Sequence, residues 1–233
     1  MILWQVVCVL GFIPSYLLPD PVSIFLKIGE KAQVLFPACL ITVEEAVLGL
    51  GVGVVFGFFL AVIIDSSTFL RRALLPLLSV SQTIPIIAVA PLLVLLLGFG
   101  ILPKVVLVAL MTFFPISIAC VGGFSSAPVQ TLQMSRSCGA NFVKTFLCVK
   151  VPFCAKTFFD ALKISVTYAF SGAVIAEWLG GDVGLGVMMT RARKSFDMTT
   201  LFACVFLIVI ITILAVCAVK FIEKKSIKWR DYE

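Results

Sequence analysis

What constrains this chain most is a recurring run of apolar residues about as long as the hydrocarbon core of a bilayer is thick. A helix needs about 20 predominantly apolar residues to cross that core, and six stretches supply them, at 1–18, 37–64, 74–98, 103–122, 157–178 and 199–222. Backbone donors and acceptors cannot stay unpaired in lipid, and the runs lack the alternation of barrel strands, so each is expected to be a helix. Composition agrees: 61% of the 233 residues are hydrophobic and 13% charged, whereas an ordinary soluble domain carries about a quarter charged residues. The expected fold is an all-α polytopic membrane protein, a single domain over 1–233 forming a bundle of about six transmembrane helices.

The few charges gather between the runs. Six spans put both termini on one side, and a cytoplasmic placement leaves twelve of the eighteen Lys and Arg inside and six outside, the sense of the positive-inside rule. Arg191, Arg193 and Lys194 in the last outer loop run against that asymmetry. The net charge of +6 is not gathered into a dense basic block or interleaved with aromatics, so lipid and not nucleic acid is the expected surrounding. The eight cysteines form no Cys-x-x-Cys pair and there is no His, so they read as small apolar fillers, and neither metal nor cofactor is expected. Residues 1–18 lack a basic leader and a small-residue cleavage site, and are read as a membrane segment.

Polar residues inside the runs are the candidates for function. Gly49, Gly53, Gly57 and Ala61 form a ridge of minimal side chains that lets another helix approach closely. Glu44 and Glu45 stand beside it, and adjacent helical residues point about 100° apart, so at least one is expected to face the bundle or water. Glu45 then either lines a solute path or makes a structural hydrogen bond. The third run holds Ser79, Ser81, Gln82 and Thr83 just before Pro85, with Pro91 beyond. Proline leaves a helix carbonyl without its donor, which a neighbouring helix or a wet cavity can satisfy but lipid cannot. A broken, path-lining helix or a packed kink follows. In the fifth run Ser165, Tyr168 and Gly172 share a helical face, and Glu177 closes the run beside Trp178, which places it near the outer interface, in contact with a partner protein, solvated or tied by a structural hydrogen bond.

The segment 123–156 is the longest inner connection. Ser126 with Pro128 can open a short helix, Gly139 can end it, and Asn141 can start a second helix that stops near Pro152. Leu132, Phe142 and Phe146 mixed with Arg136, Lys144 and Lys150 suit either a groove in a partner protein or the membrane surface.

Within that segment Gln133-Met134-Ser135-Arg136-Ser137-Cys138-Gly139-Ala140, followed after a gap by Val151-Pro152, resembles the Glu-Ala-Ala loop of ATP-binding-cassette importer permeases. Gln133 stands where that family has Glu, and Met134 and Ser135 where it has two Ala. The resemblance extends through Ile84-Pro85 to Pro91-Leu92, Gly98-Phe99-Gly100, Phe113-Phe114-Pro115-Ile116, and Ala176-Glu177-Trp178 leading to Gly184-Leu185-Gly186. It is similar to the subgroup importing sulfonates, taurine, nitrate, the pyrimidine precursor of thiamine or riboflavin.

That resemblance implies a bacterial inner-membrane permease whose cytoplasmic coupling helix, with Gln133, Arg136, Gly139, Ala140 and Pro152, docks on a separate ATPase. It further implies an extracytoplasmic solute-binding protein and a second permease copy. The expected path residues are Glu45, Ser81, Gln82, Thr83, Pro85, Ser165 and Tyr168. No Gly-x-x-x-x-Gly-Lys-[Ser/Thr] loop occurs, so ATP hydrolysis by that device is not expected of this chain. The rival reading is an ion-driven secondary transporter using Glu44, Glu45 or Glu177, which paired broken helices in two matching halves would favour. No nucleophile with a base is apparent, so catalytic residues are not expected.

Overall fold

A computed structural model describes residues 18–227. The expected span at 1–18 therefore lies outside the described residues except for Leu18.

The described chain is built of helices. The first, α1 (Pro21–Glu30), is capped by Asp20, which accepts from the Ser23 amide at 3.1 Å, and has Pro at its start, where a missing amide hydrogen costs nothing. It lies between the expected spans at 1–18 and 37–64, and its ten residues are too few to cross a membrane. It packs on the last helix through Phe25 and Phe206, whose rings meet edge to face at 5.0 Å. Among the described residues four helices are long and apolar enough to cross a membrane: α2 (Ala32–Ser66), α5 (Ile101–Ser125), the run Phe142–Gly180, and α10 (Met198–Ser226). Phe56, Phe59, Leu95 and Leu96 point outward and are each more than 60% exposed, a surface stable only in lipid.

Of the two forms expected of the 74–98 run, a broken helix or a packed kink, the structure has the broken one. The run divides into α3 (Thr68–Ser81) and α4 (Ile86–Leu97), bent by 93° across residues 82–85. Pro85 cannot donate to the ladder and disfavours helical backbone before it, so the chain turns there.

The centre of the bundle is the seam between α2 and α5. Gly53 sits so close to Thr112 and the Ala109 carbonyl that a Cβ has no room, and a Cβ on Gly57 would lie 2.9 Å from the Phe113 carbonyl oxygen. Ser117 uses that proximity to donate to the Gly57 carbonyl at 3.2 Å. Below the seam Ala61, Ile64, Ile116, Cys120, Phe124, Cys154 and Ala161 form one buried cluster. Cys120, Cys154 and Cys204 are buried and free, whereas Cys138, Cys148 and Cys217 are exposed, so filling space explains only part of the cysteine set.

After α5 come α6 (Val129–Ser137), α7 (Phe142–Thr145), one π-helical turn (Phe146–Lys150) and α8 (Val151–Gly180). The second loop helix does not stop at Pro152, as the sequence reading had it, but runs on into the membrane. Pro152 falls in the first turn of α8, and the wider preceding turn, in which the Val151 amide reaches back to the Phe146 carbonyl, gives its ring space. A short α9 (Leu185–Lys194) links α8 to α10.

Candidate functional site

Polar residues inside the bundle collect in two places of different character. The first is a cavity of about 360 Å³ at the α3–α4 break, lined by Ser81, Gln82, Thr83, Ile84, Pro85 and Ile86, by Met111, Phe114 and Pro115 of α5, and by Tyr168 of α8. Ser81 and Thr83 turn their hydroxyls back onto the Leu77 and Val80 carbonyls, each at 2.7 Å, at the end of α3. Gln82 and Tyr168 are exposed and make no hydrogen bond to the described residues, so their polar groups are free for a ligand. No charged residue lines this cavity. Five of the seven expected path residues meet there: Ser81, Gln82, Thr83, Pro85 and Tyr168.

Glu45 and Ser165 lie elsewhere. Ser165 is fully buried against α5 and donates to the Thr112 carbonyl at 3.4 Å, because it occupies the face of α8 that packs inward while Tyr168 faces the cavity. Glu45 is 2% exposed and pairs with Lys104 of α5 at 2.5 Å, while Glu44 points outward.

Around Glu45 is the second polar region. Glu177, expected near the outer interface, is also buried; it accepts from the Thr42 hydroxyl at 2.6 Å and from the Gly186 amide at the start of α9. Thr42 in turn accepts from the Leu185 amide at 3.0 Å. Its closeness to the α8–α9 turn explains the glycines there: a Cβ on Gly184, whose φ is 138°, would strike the Glu177 carboxyl, and one on Gly186 would lie 2.8 Å from it. The carboxylate sits at a helix N-terminus and joins α2, α8 and α9. Spacing alone does not reveal Lys104 or Thr42 as partners, since they are 59 and 135 residues away from Glu45 and Glu177 respectively.

A third feature is the loop. Cys138 closes α6, Gly139 follows with φ 76°, the Gly139 amide bonds the Arg136 carbonyl at 2.9 Å and the Ala140 amide bonds that of Ser135 at 3.1 Å. This pair of bonds ends a helix through a left-handed residue, which glycine adopts at no steric cost. Asn141 then caps α7 by accepting from the Lys144 amide at 2.9 Å, while Ser126, the expected first cap, bonds the Gly123 carbonyl instead and Pro128 takes the capping position. Gln133, Met134, Arg136, Phe142 and Lys144 are exposed. Phe146 and Lys150 are not part of that outer surface, contrary to expectation: Phe146 stacks on Phe124 at 5.0 Å and Lys150 pairs with Asp65 at the end of α2 at 2.5 Å. The loop is thus fixed to α2 and α5 and continuous with α8, whose Tyr168 lies about 24 Å along the helix from Pro152 at 1.5 Å per residue.

On the far side, Asp197 caps α10 and pairs with Lys31 at 2.9 Å. Burial pushes its carboxyl up, but hydrogen bonds from the Thr200 hydroxyl and amide and from Lys31 outweigh that and hold it at about 2.

Residues 53–228 match the family model described as binding-protein-dependent transport system inner membrane component. The formylaminopyrimidine transport permease protein ThiX of Halalkalibacterium halodurans is 34% identical over 99% of this chain and 92% of its own length. A probable ABC transporter permease protein of Haemophilus influenzae is 33% identical over 91% and 87%, and the riboflavin transport system permease protein RibX of Chloroflexus aurantiacus 29% over 98% and 86%. Among solved structures, an inward-facing MetNI methionine ABC transporter chain superposes with a TM-score of 0.73 at 16% identity, covering 85% of this chain and 97% of that one, and so shares the fold.

Proposed function

This chain belongs to the family of binding-protein-dependent transport system inner membrane components and is a multi-pass permease subunit of an ATP-binding-cassette importer; from that premise we propose that it carries a neutral, flat, hydrogen-bonding heteroaromatic solute past Gln82 and Tyr168. It is not an ATPase: in this family hydrolysis falls to separate subunits. The observation that carries the solute class is the lining of the cavity at the α3–α4 break, which offers an amide, a phenol and the Phe114 ring but no cation. A sulfonate needs a charge-assisted donor when it leaves water; a pyrimidine or an isoalloxazine needs stacking and neutral hydrogen bonds. The formylaminopyrimidine relative, at 34% identity, agrees with this preference over the sulfonate and taurine relatives, at 29% and 24%.

In this reading both termini are cytoplasmic and two copies enclose the path. The exposed face of α6 and α7, with Gln133, Arg136, Gly139 and Ala140, docks on the ATPase. Pro152 marks where the loop joins α8, which transmits the motion to Tyr168. ATP binding favours one arrangement of the helices and hydrolysis the other, because the nucleotide states bind the two unequally. The secondary-transporter reading loses its support at the carboxylates, since Glu45 and Glu177 are engaged in packing contacts away from the cavity.

The test is ATP-driven uptake in proteoliposomes holding the assembled importer and its binding protein, with unlabelled competitors. An aminopyrimidine or riboflavin is expected to compete and an alkyl sulfonate not; the reverse order overturns the solute class. Gly139→Val, which strains a left-handed residue by about 1–2 kcal/mol, is expected to abolish uptake with the protein still inserted.

A further inference from the structure

Three ionisable side chains leave solvent at one place, Glu45 on α2, Lys104 on α5 and Glu177 on α8, each less than a tenth exposed. Their charges do not balance. Lys104 Nζ pairs with Glu45 Oε1, while the groups bonded to Glu177, the Thr42 hydroxyl and the Gly186 amide, are neutral. Two carboxylates therefore share one ammonium.

Glu45 Oε2 is buried and meets no donor among the described residues. Thr42 and Glu45 stand three residues apart on α2 and so share a face, and because Thr42 holds Glu177 at 2.6 Å, the Glu177 carboxyl is brought to the side of α2 that carries Glu45. Among the described residues no further cation pairs with the cluster. Glu44 on α2 adds only negative field, α10 presents the Cys204 thiol, and Lys31 is engaged with Asp197. An uncompensated buried charge is strongly unfavourable, and two carboxylate oxygens can bond only through a hydrogen between them.

We propose that this cluster binds one proton, held between Glu45 and Glu177 as a carboxylic acid–carboxylate hydrogen bond that leaves the three groups electrically neutral. The proton belongs to the pair and not to either residue. It supplies the missing partner of Glu45 Oε2 and keeps Glu177 in place under the α8–α9 turn, so this proton site closes the bundle between α2, α5 and α8. The assignment goes beyond the transport reading and stands independently of which solute is carried.

Infrared difference spectroscopy of the full chain in lipid nanodiscs at neutral pH reads the proton directly. The wild type minus Glu45→Gln is expected to show the carbonyl stretch of a protonated carboxylic acid, shifted in heavy water, and the wild type minus Glu177→Gln the same, because each variant leaves one carboxylate for one ammonium. Lys104→Met is expected to raise the band roughly twofold, since both carboxyls are then protonated. Glutamine preserves volume at both positions; at 45 its oxygen can accept from Lys104, and at 177 its oxygen can accept from the Gly186 amide while its NH2 donates to the Thr42 hydroxyl, so the two glutamine variants decide the matter even if Lys104→Met does not fold. Absence of the band from both difference spectra overturns the proposal.

Discussion

The two polar regions of this bundle have been built by opposite rules. At the Glu45–Lys104–Glu177 cluster the groups are ionisable, buried, bonded to one another across three helices and surrounded by glycines that admit no extra atom. At the α3–α4 break the groups are uncharged and exposed to a cavity, and Gln82 and Tyr168 keep their hydrogen-bonding capacity. In lipid a buried charge must be satisfied permanently, so it serves packing; a neutral amide or phenol can tolerate alternation between a solute and water. The difference teaches that the charged residues of a permease are not by default its solute contacts.

The comparison breaks most visibly at Glu177. Glu177→Ala leaves the buried Gly186 amide without its acceptor, at about 1–3 kcal/mol, returns the Thr42 hydroxyl to the Ala38 carbonyl alone, and opens a void beside Gly184. A large loss of thermal stability in detergent is expected, with the KM of the surviving folded protein unchanged. Gln82→Leu is the converse: removing one neutral hydrogen bond to the solute costs about 1 kcal/mol, or roughly a fivefold rise in KM, with stability unchanged because the Gln82 side chain bonds nothing among the described residues. The smallest effect belongs to the Asp197 pair, outside the spans. Its carboxyl is held at about 2 in the folded protein, below the ordinary value near 3.9, so its contribution is present above pH of about 4 and is lost as the pH falls through about 2. An acid titration of stability should lose that contribution in Asp197→Asn.

Much of this architecture was legible in the chain. The apolar runs beginning at 37, 103, 157 and 199 are helices because length and apolarity suffice to define a span, and the glycine ridge at 49, 53 and 57 found α5 as its close neighbour. Gly139 and Asn141 punctuate the loop as their side chains dictate. Three features were not legible. A break near Pro85 was one of two expectations, but the right-angle size of the bend depends on what the two halves pack against. Continuity through Pro152 rests on a π turn, which has no sequence signature of its own. The partners of Glu45 and Glu177 lie on other helices, so the sequence could show that these carboxylates must be satisfied but not by what.

The most direct test of the account is the solute dependence of Tyr168→Ala, measured as the KM for uptake beside the melting temperature of the same preparation. Tyr168 is 44% exposed and borders the cavity, so the account predicts a KM raised about tenfold or more, from lost stacking and hydrogen bonding, at an unchanged melting temperature. An unchanged KM with a lowered melting temperature would contradict it, placing Tyr168 with the packing residues and the solute path elsewhere.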